Sequence, residues 1–114
     1  MSDLALFAAF GSVTEDDGVR VVAFAASEDP EDGYVFVQQD MADPTAPLYL
    51  EVSDEIFGGH DALQGSVFGE GLITLEIRPD MVMRFGAIDR VQIHLDAGTE
   101  GGAEAMAALR VMLG

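Results

Sequence analysis

Leu72-Ile73-Thr74-Leu75-Glu76-Ile77-Arg78 alternates strictly between apolar and polar residues once past Leu72. Alternation of period two is the mark of a β-strand with one face in the core. Ile73, Leu75 and Ile77 are therefore read as pointing inward, with Thr74, Glu76 and Arg78 outward. Gly71 and Pro79 bound the run. Upstream, Gly65–Gly69 pairs with it as a hairpin. Downstream, Pro79-Asp80 opens a short segment, Met81–Phe85, for which one or two helical turns are expected, closed by Gly86. Arg90–Leu95 alternates again, with Val91, Ile93 and Leu95 on the core side. A final helix is expected from a Thr99 cap to about Leu113. Its apolar face would be Ala105, Met106, Leu109, Met112 and Leu113, and that face should pack on the sheet.

The same period runs through the first half. Leu4, Leu6, Ala8 and Phe10 share one face of a first strand. Glu15-Asp16-Asp17-Gly18 reads as a hairpin turn, because Asp-Gly tolerates positive φ. Val19–Ala25 is apolar on both faces, which suits a central strand. Glu28–Gly33 is an acidic turn, Tyr34–Gln39 a third strand and Met41–Pro47 a connection, since proline cannot donate to a ladder. Leu48–Val52 is a fourth strand. Residues 54–65, with Gly58, Gly59 and Gly65, read as the longest loop. The expected fold is a single α+β domain over residues 1–114. It consists of a mainly antiparallel sheet of six to seven strands with a C-terminal helix packed on it.

Charge narrows the function classes. The chain of 114 residues holds 21 acids against 5 bases, all arginine, for a net charge of −16. Residues 1–61 carry 14 of those acids and only Arg20. A field of this sign repels nucleic acid and anionic membrane and attracts basic partners. Neither a composition bias nor salt adaptation would crowd the acids into one half. With apolar residues at 49%, the chain is too hydrophobic for a disordered acidic tail. It has no cysteine, hence no disulfide and no thiolate site. The N-terminus lacks a basic signal region and Leu4–Phe10 is too short to span a bilayer, so a cytoplasmic protein is expected.

Chemistry-bearing patterns are sparse. His94 lies in phase with the polar face of its strand and should be solvated. His60 adjoins Asp61, a pairing that can hold an imidazole tautomer for base catalysis, although adjacent loop residues seldom achieve the geometry. Two distant histidines cannot make a zinc site, and the acidic runs lack the alternation of a calcium loop. The glycines form no phosphate cradle.

Tyr34-Val35-Phe36-Val37-Gln38-Gln39, then Leu48-Tyr49-Leu50-Glu51-Val52-Ser53-Asp54, then Gly58-Gly59 and the alternating strand Leu72–Ile77 form an order that resembles immunity protein family ten of bacterial polymorphic toxin systems. That family has an aliphatic strand ending in Leu-Gln-Arg, a Tyr-Tyr-Val-Glu-like strand with a following Asp, and a Tyr-Gly-Gly loop. Gln39 and Phe57 depart from its Arg and Tyr. The resemblance covers residues 18–113. It implies a small cytoplasmic protein that neutralises a cognate toxin domain by occluding it, with no cofactor and no catalytic residue of its own. A basic nuclease cleft would suit the acidic surface. The expected partner-binding residues are Asp40, Asp43, Glu51, Asp54, Glu55, Phe57, Gly58, Gly59, His60 and Asp61. Ile56 and Phe57 are either apolar anchors or core. The alternative is a structural or interaction domain, homodimeric and without catalytic activity. A hydrolase built on His60 is a third reading.

Overall fold

Adjacent residues near the N-terminus decide the architecture. The Ala8 N–H donates to the carbonyl of His94 (2.9 Å) and the Ala9 N–H donates to that of Ala25 (2.8 Å). Those acceptors belong to different sheets. The computed structural model describes residues 2–114, and in it the chain leaves one sheet at Phe7 and enters the other at Phe10. The stretch Leu4–Phe10 is thus not one strand, and the strands do not form one sheet. β1 (Ser2–Phe7) lies in a four-stranded sheet with β7 (Leu63–Gly69), β8 (Leu72–Ile77) and β9 (Ile88–His94), in the order β1-β9-β8-β7. β2 (Phe10–Asp16), β3 (Val19–Ala25), β4 (Tyr34–Asp40), β5 (Tyr49–Val52) and β6 (Asp54–His60) form a five-stranded meander in chain order. All named pairings are antiparallel except β1 with β9, which is parallel.

The turns follow local chemistry. Asp17 (φ 51°) and Gly18 (φ 77°) make a two-residue connection with both residues at positive φ, which matches the twist of the flanking strands. The expected long loop at residues 54–65 is instead strand β6 and the start of β7. Ser53 makes the difference: at φ 63° it turns the chain in a single residue, and β6 folds straight back on β5. Glycines at 58 and 59 conceal the strand, because glycine has low β propensity.

The inner faces make the core. Val22, Phe24, Val35, Val37, Leu50 and Val52 from the five-stranded sheet meet Leu6, Ile73, Leu75, Ile77, Val91 and Ile93 from the other, all 5% exposed or less. The inward reading of Ile73, Leu75, Ile77, Val91 and Ile93 therefore holds; Leu95 is half-buried just past the end of β9. α1 (Gly102–Leu113) packs mainly on β2 and β3, burying Gly102, Ala105, Leu109 and Met112. A Cβ on Gly11 would stand 2.9 Å from that of Ala105, so helix and strand approach closely there. Thr99 does not cap this helix; Gly101 does. Buried Thr99 donates its hydroxyl to the Ala8 carbonyl (2.7 Å) and accepts from the Asp96 N–H (3.0 Å), tying the sheet crossing to the segment before the helix. Pro79–Phe85 is a 3₁₀ helix, closed as expected by Gly86 in the left-handed region (φ 74°). It buries Val82 and Phe85 beside β6 and β9. No helix among the described residues is long and apolar enough to cross a membrane.

Candidate binding face on the five-stranded sheet

Strand parity places one set of side chains on the outer face of β4, β5 and β6. Val35, Val37, Leu50 and Val52 take the inner positions, so Tyr34, Phe36, Gln38, Tyr49 and Glu51 point the other way. The register sets Phe36 opposite Glu51 and Gln38 opposite Tyr49. It then sets Glu51 opposite Gly58 and Tyr49 opposite His60.

The aromatic rings form a continuous row. Tyr34 stacks on Phe36 (centroids 6.0 Å apart, 9° between planes). Phe36 meets Tyr49 at 5.9 Å, and Tyr49 meets His60 at 5.1 Å. Each such contact adds stability beyond area burial. Gly58 makes room: a Cβ there would collide with the Tyr49 hydroxyl.

Glu51 sits within this row. Its carboxylate accepts from the Tyr34 hydroxyl (2.6 Å) on one oxygen and from the Tyr49 hydroxyl (2.7 Å) on the other. Glu51 is 8% exposed. A carboxylate this far from water needs such donors, and charge-assisted bonds of this length are the strong kind. The phenols respond in turn. The Tyr49 hydroxyl is pushed up to about 12, first by its bond to Glu51 and then by burial. Burial pushes the Tyr34 phenol up, and the bond to Glu51 adds to it.

Two shallow hollows flank the row. One, of about 340 Å³, is lined by Glu31, Tyr34, Glu51, Asp54 and Glu55 among others. The other, of about 260 Å³, has Gln38, Asp40, Tyr49 and His60 in its wall. Asp40, Asp54, Glu55 and His60 are exposed beside the rings. The remaining residues expected from the sequence lie elsewhere or are occupied. Asp43 is exposed on the connection, where its carboxylate accepts from the Thr45 hydroxyl and N–H. Asp61 accepts from Arg78, which also pairs with Asp80 at 3.0 Å. Gly58 and Gly59 are buried, the latter against Met81 and Arg84. Phe57 packs partly against the core and lies over Gly86, whereas Ile56 is 68% exposed. Sequence reading missed Tyr34, Phe36 and Tyr49; their shared outward parity, in two strands already recognised, was the available signal.

The chemistry this face offers is recognition of cations. Aromatic rings and carboxylates together receive guanidinium or ammonium groups, with rings supplying area and acids supplying charge. His60 contacts Tyr49, and the Asp61 carboxylate is taken by Arg78, so the two do not form a base-and-orienter pair. Among the described residues no cluster of His, Asp or Glu is arranged to hold a metal ion. No protein-family model matches the chain, and no curated protein matches it.

Proposed function

We propose that this chain is a binding protein that neutralises a cognate bacterial toxin domain by covering it, and that it docks through the outer face of β4, β5 and β6. One observation carries the reading: a half-buried aromatic row lies between two hollows edged by Asp40, Asp54 and Glu55. Acids alone steer a basic partner but leave little desolvated area; the rings provide the anchor that hot spots require. Phe36, Tyr49 and exposed Ile56 serve as the apolar part, and Asp54 and Glu55 receive basic side chains of the toxin domain. The net charge of −16 accelerates the encounter and makes it salt-dependent. The mechanism is occlusion, with no chemical step.

The test is calorimetric titration of the chain with the product of the gene adjoining its own. Asp54→Arg and Glu55→Arg should each weaken binding about tenfold or more, and Phe36→Ala by a similar factor. Unchanged affinity in both charge-reversal variants removes this surface from the interface. Absence of any binding to the wild type removes the toxin reading itself.

A further inference from the structure

Among the described residues no other element covers the outer face of the four-stranded sheet, and its composition is unlike the rest of the molecule. Ladder register sorts its side chains into three rows across the strands β1, β9, β8 and β7. The first row is Asp3, Arg90, Glu76 and Gly65. The second is Ala5, Gln92, Thr74 and Val67, and the third is Phe7, His94, Leu72 and Gly69. Phe7 is 70% exposed and Val67 59% exposed. Phe7 stacks flat on His94 at 4.5 Å, 15° between planes. The three rows hold two acids and one arginine, a net of −1 on a protein of −16. A near-neutral, flat, partly apolar face is where a second acidic copy can approach with least repulsion.

We infer that this face pairs with the same face of a second copy, giving a weak two-fold dimer. The rows are self-complementary under one operation. A two-fold axis lying in the interface, parallel to the strands and midway between β9 and β8, keeps each row in register and reverses the order of strands. It sets Arg90 of one copy over Glu76 of the other, twice. It sets Gln92 over Thr74, a hydrogen-bonding pair, and His94 over Leu72. At the outer strands it sets Phe7 over Gly69 and Val67 over Ala5, large against small in both cases. Face-to-face sheets cross at about 30°, so register is best kept near the axis, where the charged pairs lie. Four strands at ~4.8 Å and three rows at ~6.8 Å cover roughly 400 Å² per copy, the low end of interface sizes, hence a transient dimer. Glu70 and Asp96 stand at the rim of the third row, so added salt strengthens the pairing by screening them. The inference uses the opposite sheet from the toxin-binding reading and does not rest on it.

Sedimentation velocity between about 5 μM and about 1 mM tests it, the span in which so small an interface associates. The wild type should move from monomer to dimer over this range. Val67→Glu, at an exposed position, should stay monomeric at every concentration while unfolding at the same temperature as the wild type. Adding Ala5→Lys to Val67→Glu should recover the dimer, because position 5 of one copy lies over position 67 of the other. Within one chain these positions are three strands apart, about 14 Å, too far to pair. A wild type that stays monomeric throughout overturns the inference. So does a Val67→Glu variant that associates like the wild type, or a double variant that does not recover.

Discussion

Replacing Glu51 by glutamine tests the central feature of the aromatic face. The chain has two tyrosines and no tryptophan, and both phenols bond to Glu51. Near-ultraviolet absorbance therefore reports on this one site. In the wild type, tyrosinate should be nearly absent at pH 10, where a free phenol is half ionised. Tyr49 should reach its midpoint at about 12, with Tyr34 shifted in the same direction. The leading cause at Tyr49 is the bond to the carboxylate, so Glu51→Gln should bring its midpoint down by about one unit and leave the part due to burial. Two charge-assisted bonds would be worth about 1.5–3 kcal/mol each in a sealed interior. Here the rings are half open to water and the amide keeps one acceptor, so the expected loss of stability near neutral pH is about 1–2 kcal/mol. The pH dependence has a definite sign. A phenol with a higher pKa folded than unfolded stabilises below about pH 10 and gives up that stability as the pH rises toward about 12. Glu51→Gln should flatten this alkaline decline. Circular dichroism recorded alongside confirms that the native state is being titrated. Native tyrosines ionising near pH 10 in the wild type, or a midpoint unmoved in the variant, would refute the clamp.

Three further outcomes are expected. Gly58→Ala should displace the Tyr49 ring and cost about 1–3 kcal/mol in urea unfolding, and it should lower the Tyr49 midpoint as Glu51→Gln does. Thr99→Val keeps the shape but leaves the Asp96 N–H and Ala8 carbonyl without their partner, costing about 1–3 kcal/mol by denaturant titration. Gly71→Ala must hold φ 68° with a Cβ 2.7 Å from the Leu95 carbonyl oxygen, so it should lower the melting temperature more than Gly18→Ala, where nothing lies within 4 Å.

Strand periods and turns could be read directly from local chemistry. Ile73, Leu75 and Ile77 face the core as their alternation requires, and Asp17-Gly18 turns as its residues require. The division into two sheets was not readable, because Leu4, Leu6, Ala8 and Phe10 keep one period across a crossing made by the hydrogen bonds of Ala8 and Ala9. β6 was hidden by Gly58 and Gly59, whose role is to yield space to Tyr49 and to Arg84 with Met81. Glu51, expected among the partner-binding residues, is buried. Its burial depends on two tyrosines, one on its own strand and one 17 residues upstream, and no local pattern carries that information.

The crossing at Ala8 and Ala9 also fixes an order of events during synthesis. β2 to β6 can pair with sequence neighbours as they are made, and β7 with β8 likewise. β1 is different: among the described residues its only strand partner is β9, and Thr99, beyond it, holds the Ala8 carbonyl. The first strand made in the four-stranded sheet is thus the last to be paired, and until then Leu4 and Leu6 stay without cover. Contacts closed over nearly the whole chain form slowly. Completion of the four-stranded sheet therefore waits for β9 and Thr99, and a chain stalled before β9 holds a finished meander trailing an unpaired, sticky strand.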